Sequence, residues 1–321
     1  MADAVRVGFI GCGGNARGHM KRVSQLPGAT IAAVCDVAEE AANKAAEDHS
    51  ARPFTNHRQM LEAVELDAVY ISIPPDAHGE PELDAIERGL ALFVEKPVAL
   101  DLEVAQRIAA AIRQRDILTC VGYQLRYTRT AAAARDLLAD KTIGMVVGRY
   151  WCGSGRGDWW LQKFARSGGQ IVEQATHTID LMRFLAGEVV EVFSYQANRT
   201  LTGIDCPDHN VVAMKFASGA LGSLTASWAF EGWEGNILDI LFERYRLHWE
   251  AGGLTIAPEY PEFSTEGHQE RSIDAVFVEA VRTGDRSAIL TPYEDAVRSL
   301  AVSLAANDSA RTGAPRRVAG L

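Results

Sequence analysis

Through the first 122 residues, short runs of consecutive apolar and β-branched positions alternate with stretches of helical period. Val5–Ile10, Thr30–Cys35, Ala68–Ile73, Leu92–Val94 and Ile117–Val121 read as strands, apolar at nearly every position as in strands buried on both faces. Between them, Asn15–Gln25, Ala38–Asp48, Pro81–Arg88 and Leu102–Arg115 read as helices. This alternation predicts a parallel sheet covered by helices. Pro74-Pro75 stops the third strand, since proline has no N–H to give a ladder, and Gly89 suits a left-handed helix cap.

After Gly122 the pattern changes. A helix over Thr130–Leu138 leads to a strand over Met145–Trp151, a Gly- and Trp-rich loop, and one helix over Ile171–Leu185. From Val189 to Ile256 the chain is mostly strand-like, with Ala217-Ser218-Gly219-Ala220 as a hairpin turn between Val211–Phe216 and Leu221–Trp228. Helices over Ile273–Arg282 and Glu294–Arg311 close it. The expectation is an α/β domain with a parallel sheet over residues 1–122. An α+β domain with a large, mostly antiparallel sheet follows over 123–321.

Composition narrows the class. Hydrophobic residues make up 47% and charged residues 23%, with no apolar run near the roughly 18 residues of a membrane span. The N-terminus carries no export signal, and the five cysteines lack Cys-x-x-Cys spacing, so reduced thiols in a cytoplasmic protein are expected. Net charge is −10 without a dense Lys/Arg run, which argues against nucleic acid and membrane partners. A dinucleotide is still admitted, because backbone N–H groups alone can hold its phosphates.

The chemistry begins at the first turn. Gly11-Cys12-Gly13-Gly14-Asn15-Ala16 follows the first strand and opens the first helix, the setting of a Rossmann dinucleotide fingerprint with alanine in the third small position. Gly11 permits the turn, Gly13 admits the pyrophosphate, Ala16 lets helix and sheet approach, and the helix N-terminus offers N–H groups and positive dipole. Asp36, ending the second strand, can accept the ribose hydroxyls of NAD and would repel a 2′-phosphate, so NAD is preferred to NADP; the same residue could instead cap the next helix.

Four segments in order resemble the glucose–fructose oxidoreductase, inositol dehydrogenase and rhizopine-catabolism (Gfo/Idh/MocA) family. They are Leu66–Pro75 with His78, Val94-Glu95-Lys96-Pro97, Gly122–Tyr127, and Gly168–Asp180. The resemblance implies that Ile73, Pro74 and His78 flank the nicotinamide and that Glu95 and Lys96 adjoin the cofactor. It also implies that Lys96 is catalytic, that Lys96-Pro97 can be a cis peptide, and that Tyr123 and Arg126 contact substrate.

Oxidising a secondary alcohol needs a base and a partner for the developing alkoxide. Lys96, at a strand's C-terminal end, can donate to the substrate oxygen, and either it or His177 can take the proton. Glu173, His177 and Asp180 recur at i, i+4 and i+7, one face of a single helix; Glu173 would orient His177 or touch substrate itself. Asp180 reads as structural. The same three residues could in principle bind a metal, but no second motif supplies further His or Cys ligands, so none is expected.

Trp159 and Trp160, in a loop with Arg156, Asp158 and Lys163, either stack on a sugar face or anchor the loop, while Trp228 and Trp233 lean toward packing. His19 and His78 fall near the expected cofactor position, without an assignment to catalysis. The resulting expectation is an NAD-dependent dehydrogenase for a sugar, polyol or cyclitol, pairing as a homodimer or homotetramer through its C-terminal sheet. Two rivals stand beside it: a catalytically silent dinucleotide-binding regulator, and an NAD-using lyase or glycosidase without net NADH production.

Overall fold

The computed structural model describes residues 4–153, 160–260 and 263–320. The chain forms two compact units, one running to Gly122 and including Arg271–Val297, the other comprising Tyr123–Glu270 and the residues from Arg298. In the first unit, strands β1 (Val5–Ile10), β2 (Ala29–Cys35), β3 (Arg52–Phe54), β4 (Ala68–Ile71), β5 (Ala91–Val94) and β6 (Thr119–Val121) pair in parallel in the order β3-β2-β1-β4-β5-β6. Helices α1 (Gly14–Val23), α2 (Glu39–His49), α3 (His57–Ala63), α4 (Glu80–Glu87) and α5 (Leu102–Arg115) lie between the strands in sequence. The order reverses between β1 and β4, which opens a crevice at the carboxyl ends of the strands. Every residue of β4, β5 and β6 is buried, as their uninterrupted apolar runs require.

The short edge strand β3 and helix α3 have no strong periodic signal. Arg52 and Pro53 are exposed, and α3 is started by the Asn56 side chain, which accepts the N–H groups of Arg58 and Gln59.

In the second unit, α6 (Arg129–Leu138), α7 (Phe164–Ser167), α8 (Gln170–Glu173) and α9 (Thr176–Ala186) accompany an eight-stranded sheet. Its strands are β7 (Ile143–Gly153), β8 (Val189–Ala197), β9 (His209–Phe216), β10 (Leu221–Ser227), β11 (Ala229–Phe242), β12 (Tyr245–Glu250), β13 (Gly253–Ala257) and β14 (Arg316–Arg317), ordered β13-β12-β11-β7-β10-β9-β8-β14. Only the β7–β10 pair is parallel among the described ladders. Burial alternates along β9, with Asn210, Val212, Met214 and Phe216 inside. The β9–β10 turn is the expected hairpin, with Lys215 opposite Leu221 and Phe216 N–H donating to Ala220 O at 2.9 Å.

Two expectations are corrected. Residues 271–297 do not belong with the second domain. Helix α10 (Ile273–Thr283) buries Ile273, Val276, Phe277 and Ala280, and the Phe277 ring stands edge-on to Tyr70 and Phe93, 5.4 and 5.6 Å between centroids. Helical period reveals that such a face exists but not which sheet it covers. The start of α11 (Tyr293–Thr312) follows it, with Tyr293 N–H donating to Thr119 Oγ1 at 3.0 Å.

The single helix expected over Ile171–Leu185 is interrupted between α8 and α9. Gln174 sits at φ −117°, Ala175 N–H reaches back to Gln170 O at 2.8 Å, and His177 N–H bonds Gln174 O. The Gln174 side-chain oxygen is held there by Trp228 Nε1 at 2.7 Å and Cys152 Sγ at 3.0 Å. Glu173 therefore ends one short helix while His177 and Asp180 begin the next, so the three do not share one continuous helical face.

Candidate active site

The turn after β1 is shaped by its glycines. Gly11 has φ +96°, and a Cβ on it would lie 2.0 Å from the backbone oxygen of Ser72, so only glycine fits. Gly13 and Gly14 are exposed, and a Cβ on either would meet nothing within 4 Å. Asn15 is also exposed, whereas Ala16 is fully buried on the inner side of α1. An open backbone surface at the start of a helix fits a pyrophosphate, with N–H groups of the first turn unused by the helix itself.

Cys12 points inward, 1% exposed, its Sγ 3.7 Å from Cys35 O. None of the five cysteines forms a disulfide, and burial pushes the Cys12 thiol up to about 12 and the Cys35 thiol to about 11. Asp36 accepts Cys12 N–H at 2.8 Å and Ala38 N–H at 2.9 Å. Its carboxylate thus ties the glycine turn to the end of β2, although the N-cap position of α2 is Ala38.

Ile73 and Pro74 are half-buried beyond the end of β4. His78, expected to flank the cofactor, is bonded within its own unit. Its side chain is 1% exposed and bonded at 2.5 Å to Glu82, whose other oxygen accepts Gly79 N–H. That pairing fixes the start of α4.

Lys96 is half-buried just past the C-terminal end of β5, and the Lys96-Pro97 peptide is cis. Glu95 was expected among the cofactor contacts, but its carboxylate is turned into the protein. Oε1 lies 2.7 Å from His19 Nε2, and Oε2 accepts Lys96 N–H at 3.2 Å. A Cβ on Gly122 would come 2.6 Å from Oε1, so the bare Gly122 backbone makes room for this buried carboxylate. His19 itself carries no sequence signal for this role, because its partners Glu95 and Asp274 lie 76 and 255 residues away.

In the second unit, Tyr123 is buried, its hydroxyl 2.8 Å from Thr176 Oγ1 and its ring edge-on to His177 at 5.8 Å. Burial, then the nearby Asp180 charge, raises the Tyr123 phenol above its ordinary range. His177 and Glu173 are 9% and 8% exposed, so neither is an ordinary surface group. Arg126, expected to touch substrate, is 5% exposed and forks onto Asp180, with Nε and Nη2 at 2.8 and 2.6 Å. Ser299 Oγ also donates to Asp180 at 2.8 Å, and Arg183 Nη1 lies 3.9 Å from the same oxygen. Arg126 and Asp180 thus form a buried ion pair.

Trp160 is half-buried at the start of a short 3-10 turn; Trp159 lies outside the described residues. Trp228 is a core residue, 1% exposed, whereas Trp233 is 65% exposed and so departs from a packing role. Among the described residues no cluster of three His, Cys, Asp or Glu side chains is placed to hold a metal ion.

A Rossmann sheet whose first turn leaves Gly13 and Gly14 open, with Asp36 at the end of the next strand, defines a dinucleotide-binding protein. The comparisons resolve the class further. The profile for the "Oxidoreductase family, NAD-binding Rossmann fold" matches residues 5–123, and that for the "GFO/IDH/MocA C-terminal domain" matches residues 131–255. This chain belongs to the Gfo/Idh/MocA oxidoreductase family.

It is similar to scyllo-inositol 2-dehydrogenase (NAD(+)) of Bacillus subtilis (strain 168), 28% identical over 98% of this chain and 96% of the relative. It also resembles 1,5-anhydro-D-fructose reductase of Ensifer adhaerens, 26% identical over 96% and 97% of the two chains. Its fold matches the WlbA dehydrogenase from Bordetella pertussis, solved with NADH and UDP-GlcNAcA, at TM-score 0.85 and 22% identity over 99% and 100% of the chains. The chain is an NAD(P)-dependent dehydrogenase acting on CH–OH groups, and its N-terminal unit binds NAD.

Proposed function

We propose that the protein interconverts a secondary alcohol and a ketone on a sugar, polyol or cyclitol, with NAD as the preferred cofactor. The observation that carries this reading is Lys96, set past the end of β5, two strands across from the open Gly13–Gly14 turn. Bound at that turn, NAD would supply the hydride acceptor. Lys96 donates to the substrate oxygen and stabilises the charge that develops there, and His177 takes the proton. Glu173 orients His177 or contacts substrate. The sugar and cyclitol substrates named for several relatives support the substrate class.

An NAD-coupled screen over cyclitols, aldoses, uronates and anhydrosugars tests the reading. Binding of NADH without turnover of any alcohol or carbonyl would count against it and for a silent regulator. Lys96→Ala should lower the rate by roughly two to four orders of magnitude while NADH binding survives. His177→Ala should also lose the acidic limb of the pH profile; persistence of that limb would move the proton to Lys96.

The same reading includes self-association. Met145, Leu221 and Leu241 stand side by side on β7, β10 and β11, each at least 40% exposed, and extend the apolar face of the sheet. A second copy covering this face would make a dimer or tetramer, and a monomer by light scattering at micromolar concentration would refute it. Cysteines that are all buried suit the reducing cytoplasm. No helix among the described residues is long and apolar enough to cross a membrane.

A further inference from the structure

We propose that His19 is a positioning residue for Lys96: as an imidazolium it bridges Glu95 and Asp274, and Glu95 in turn fixes the Lys96 backbone. The inference rests on the reading of Lys96 as the catalytic lysine.

Two carboxylates at hydrogen-bond distance favour the charged ring. His19 Nε2 lies 2.7 Å from Glu95 Oε1, and Nδ1 lies 2.6 Å from Asp274 Oδ1. A neutral imidazole has one N–H, so its second nitrogen would turn a lone pair on a carboxylate oxygen; only the doubly protonated ring donates to both. The ring is 5% exposed, and both carboxylates are buried with it.

Every packed element contributes to this balance. Glu95 faces the ring from the end of β5, Asp274 from α10, Arg22 from α1, and the Tyr70 phenol ring from β4 at 5.6 Å. Phe93 of β5 adds an apolar wall at 4.7 Å. The Arg22 guanidinium lies 3.0 Å from Nδ1, but it also bonds Asp274 Oδ2 at 2.5 Å, so two cations face two carboxylates. Burial alone would lower the His19 pKa; Asp274 and Glu95 outweigh it and push it up to about 9.

This cluster bears on Lys96 because the Glu95 carboxylate is confined. His19 holds one oxygen, Lys96 N–H bonds the other, and the Gly122 backbone closes the remaining side. Withdrawing the imidazolium leaves a buried carboxylate short of its strongest donor, and it must move or take up a proton. Either change loosens the segment from which the Lys96 side chain projects, and small displacements of a catalytic group are costly in rate. His19 also sits on α1, the helix whose N-terminus forms the dinucleotide turn, so one side chain couples both parts of the first unit.

The test uses the full chain with His19→Gln, Asp274→Asn, the double variant and Lys96→Ala. Since His19→Gln removes one cation from a cluster of two cations and two carboxylates, His19→Gln/Asp274→Asn restores its net charge and lowers the folding penalty. In apo protein, acetylation of Lys96 is followed across pH by mass spectrometry, with exposed Lys44 as internal reference. Turnover is measured per NADH-binding site on a substrate found in the screen.

The expected result for a His19 variant is a loss in kcat of about tenfold or more, with NADH affinity within about twofold of wild type. The Lys96 acetylation profile should shift relative to Lys44. If His19→Gln does not fold, the double variant is read in its place. Wild-type kcat per site and an unchanged Lys96 profile, even with lowered stability, would show a merely structural role and overturn the proposal. Wild-type turnover in Lys96→Ala would instead defeat the parent reading, so the two failures are distinguishable.

Discussion

Alanine at Gly11 and at Gly13, two residues apart in one turn, should have opposite effects. At Gly11 the new Cβ would lie 2.0 Å from Ser72 O and 2.7 Å from Ser72 C, both backbone atoms, on a residue held at φ +96°. The left-handed conformation costs a non-glycine residue about 1–3 kcal/mol. Forcing the β4 end outward adds about 1–3 kcal/mol of overpacking, so Gly11→Ala should lose about 2–6 kcal/mol of stability. At Gly13, φ is −70° and no atom lies within 4 Å of the new Cβ. Gly13→Ala should therefore leave stability unchanged or raise it by up to about 1 kcal/mol through the unfolded chain. The space its methyl group fills is where the pyrophosphate would approach, so NADH affinity should fall at least about tenfold, equivalent to about 1.4 kcal/mol. Denaturant unfolding gives the first quantity and NADH fluorescence titration the second. Wild-type affinity in Gly13→Ala, or wild-type stability in Gly11→Ala, would refute this account of the turn.

Three further outcomes are expected. Kinetics with both cofactors should favour NAD over NADP by at least about tenfold, and Asp36→Asn should narrow the gap; equal use by the wild type removes the Asp36 argument. Because His19 is raised from its ordinary value to about 9, its stabilisation is complete below about pH 6.5 and lost as pH rises through 9. Unfolding measured from pH 6 to 10 should show that decline, on the order of 3 kcal/mol, and His19→Gln/Asp274→Asn should flatten it. Arg126→Ala should cost about 3 kcal/mol by removing the two-pronged partner of buried Asp180 and leaving it only Ser299 and the more distant Arg183, with an unaffected midpoint in chemical unfolding as the contrary result.

Much of this protein was legible in one dimension because its signals are local. The β1 run, the Gly11–Ala16 turn and Asp36 lie within 32 residues of one another, and a strand–turn–helix states its own geometry. The Ala217–Ala220 hairpin was readable for the same reason: alternating burial and a short turn set the register. Lys96 was marked by its immediate neighbours.

Tertiary structure alone decided which buried polar residues pair with which. Arg126 and His78 look available in sequence, yet they bond buried Asp180 and Glu82. The break at Gln174 arises where Trp228 and Cys152 hold its side chain, 54 and 22 residues away, against a helical period that would carry straight through. Residues 271–297 carry an unremarkable amphipathic helix, and only packing shows Phe277 against the first sheet and Asp274 under His19. Hydrophobic periodicity and turn chemistry act over a few residues and can be read along the chain. The partner of a buried charge is chosen by whichever distant segment brings its opposite within hydrogen-bonding distance, and that choice is made only when the chain is folded.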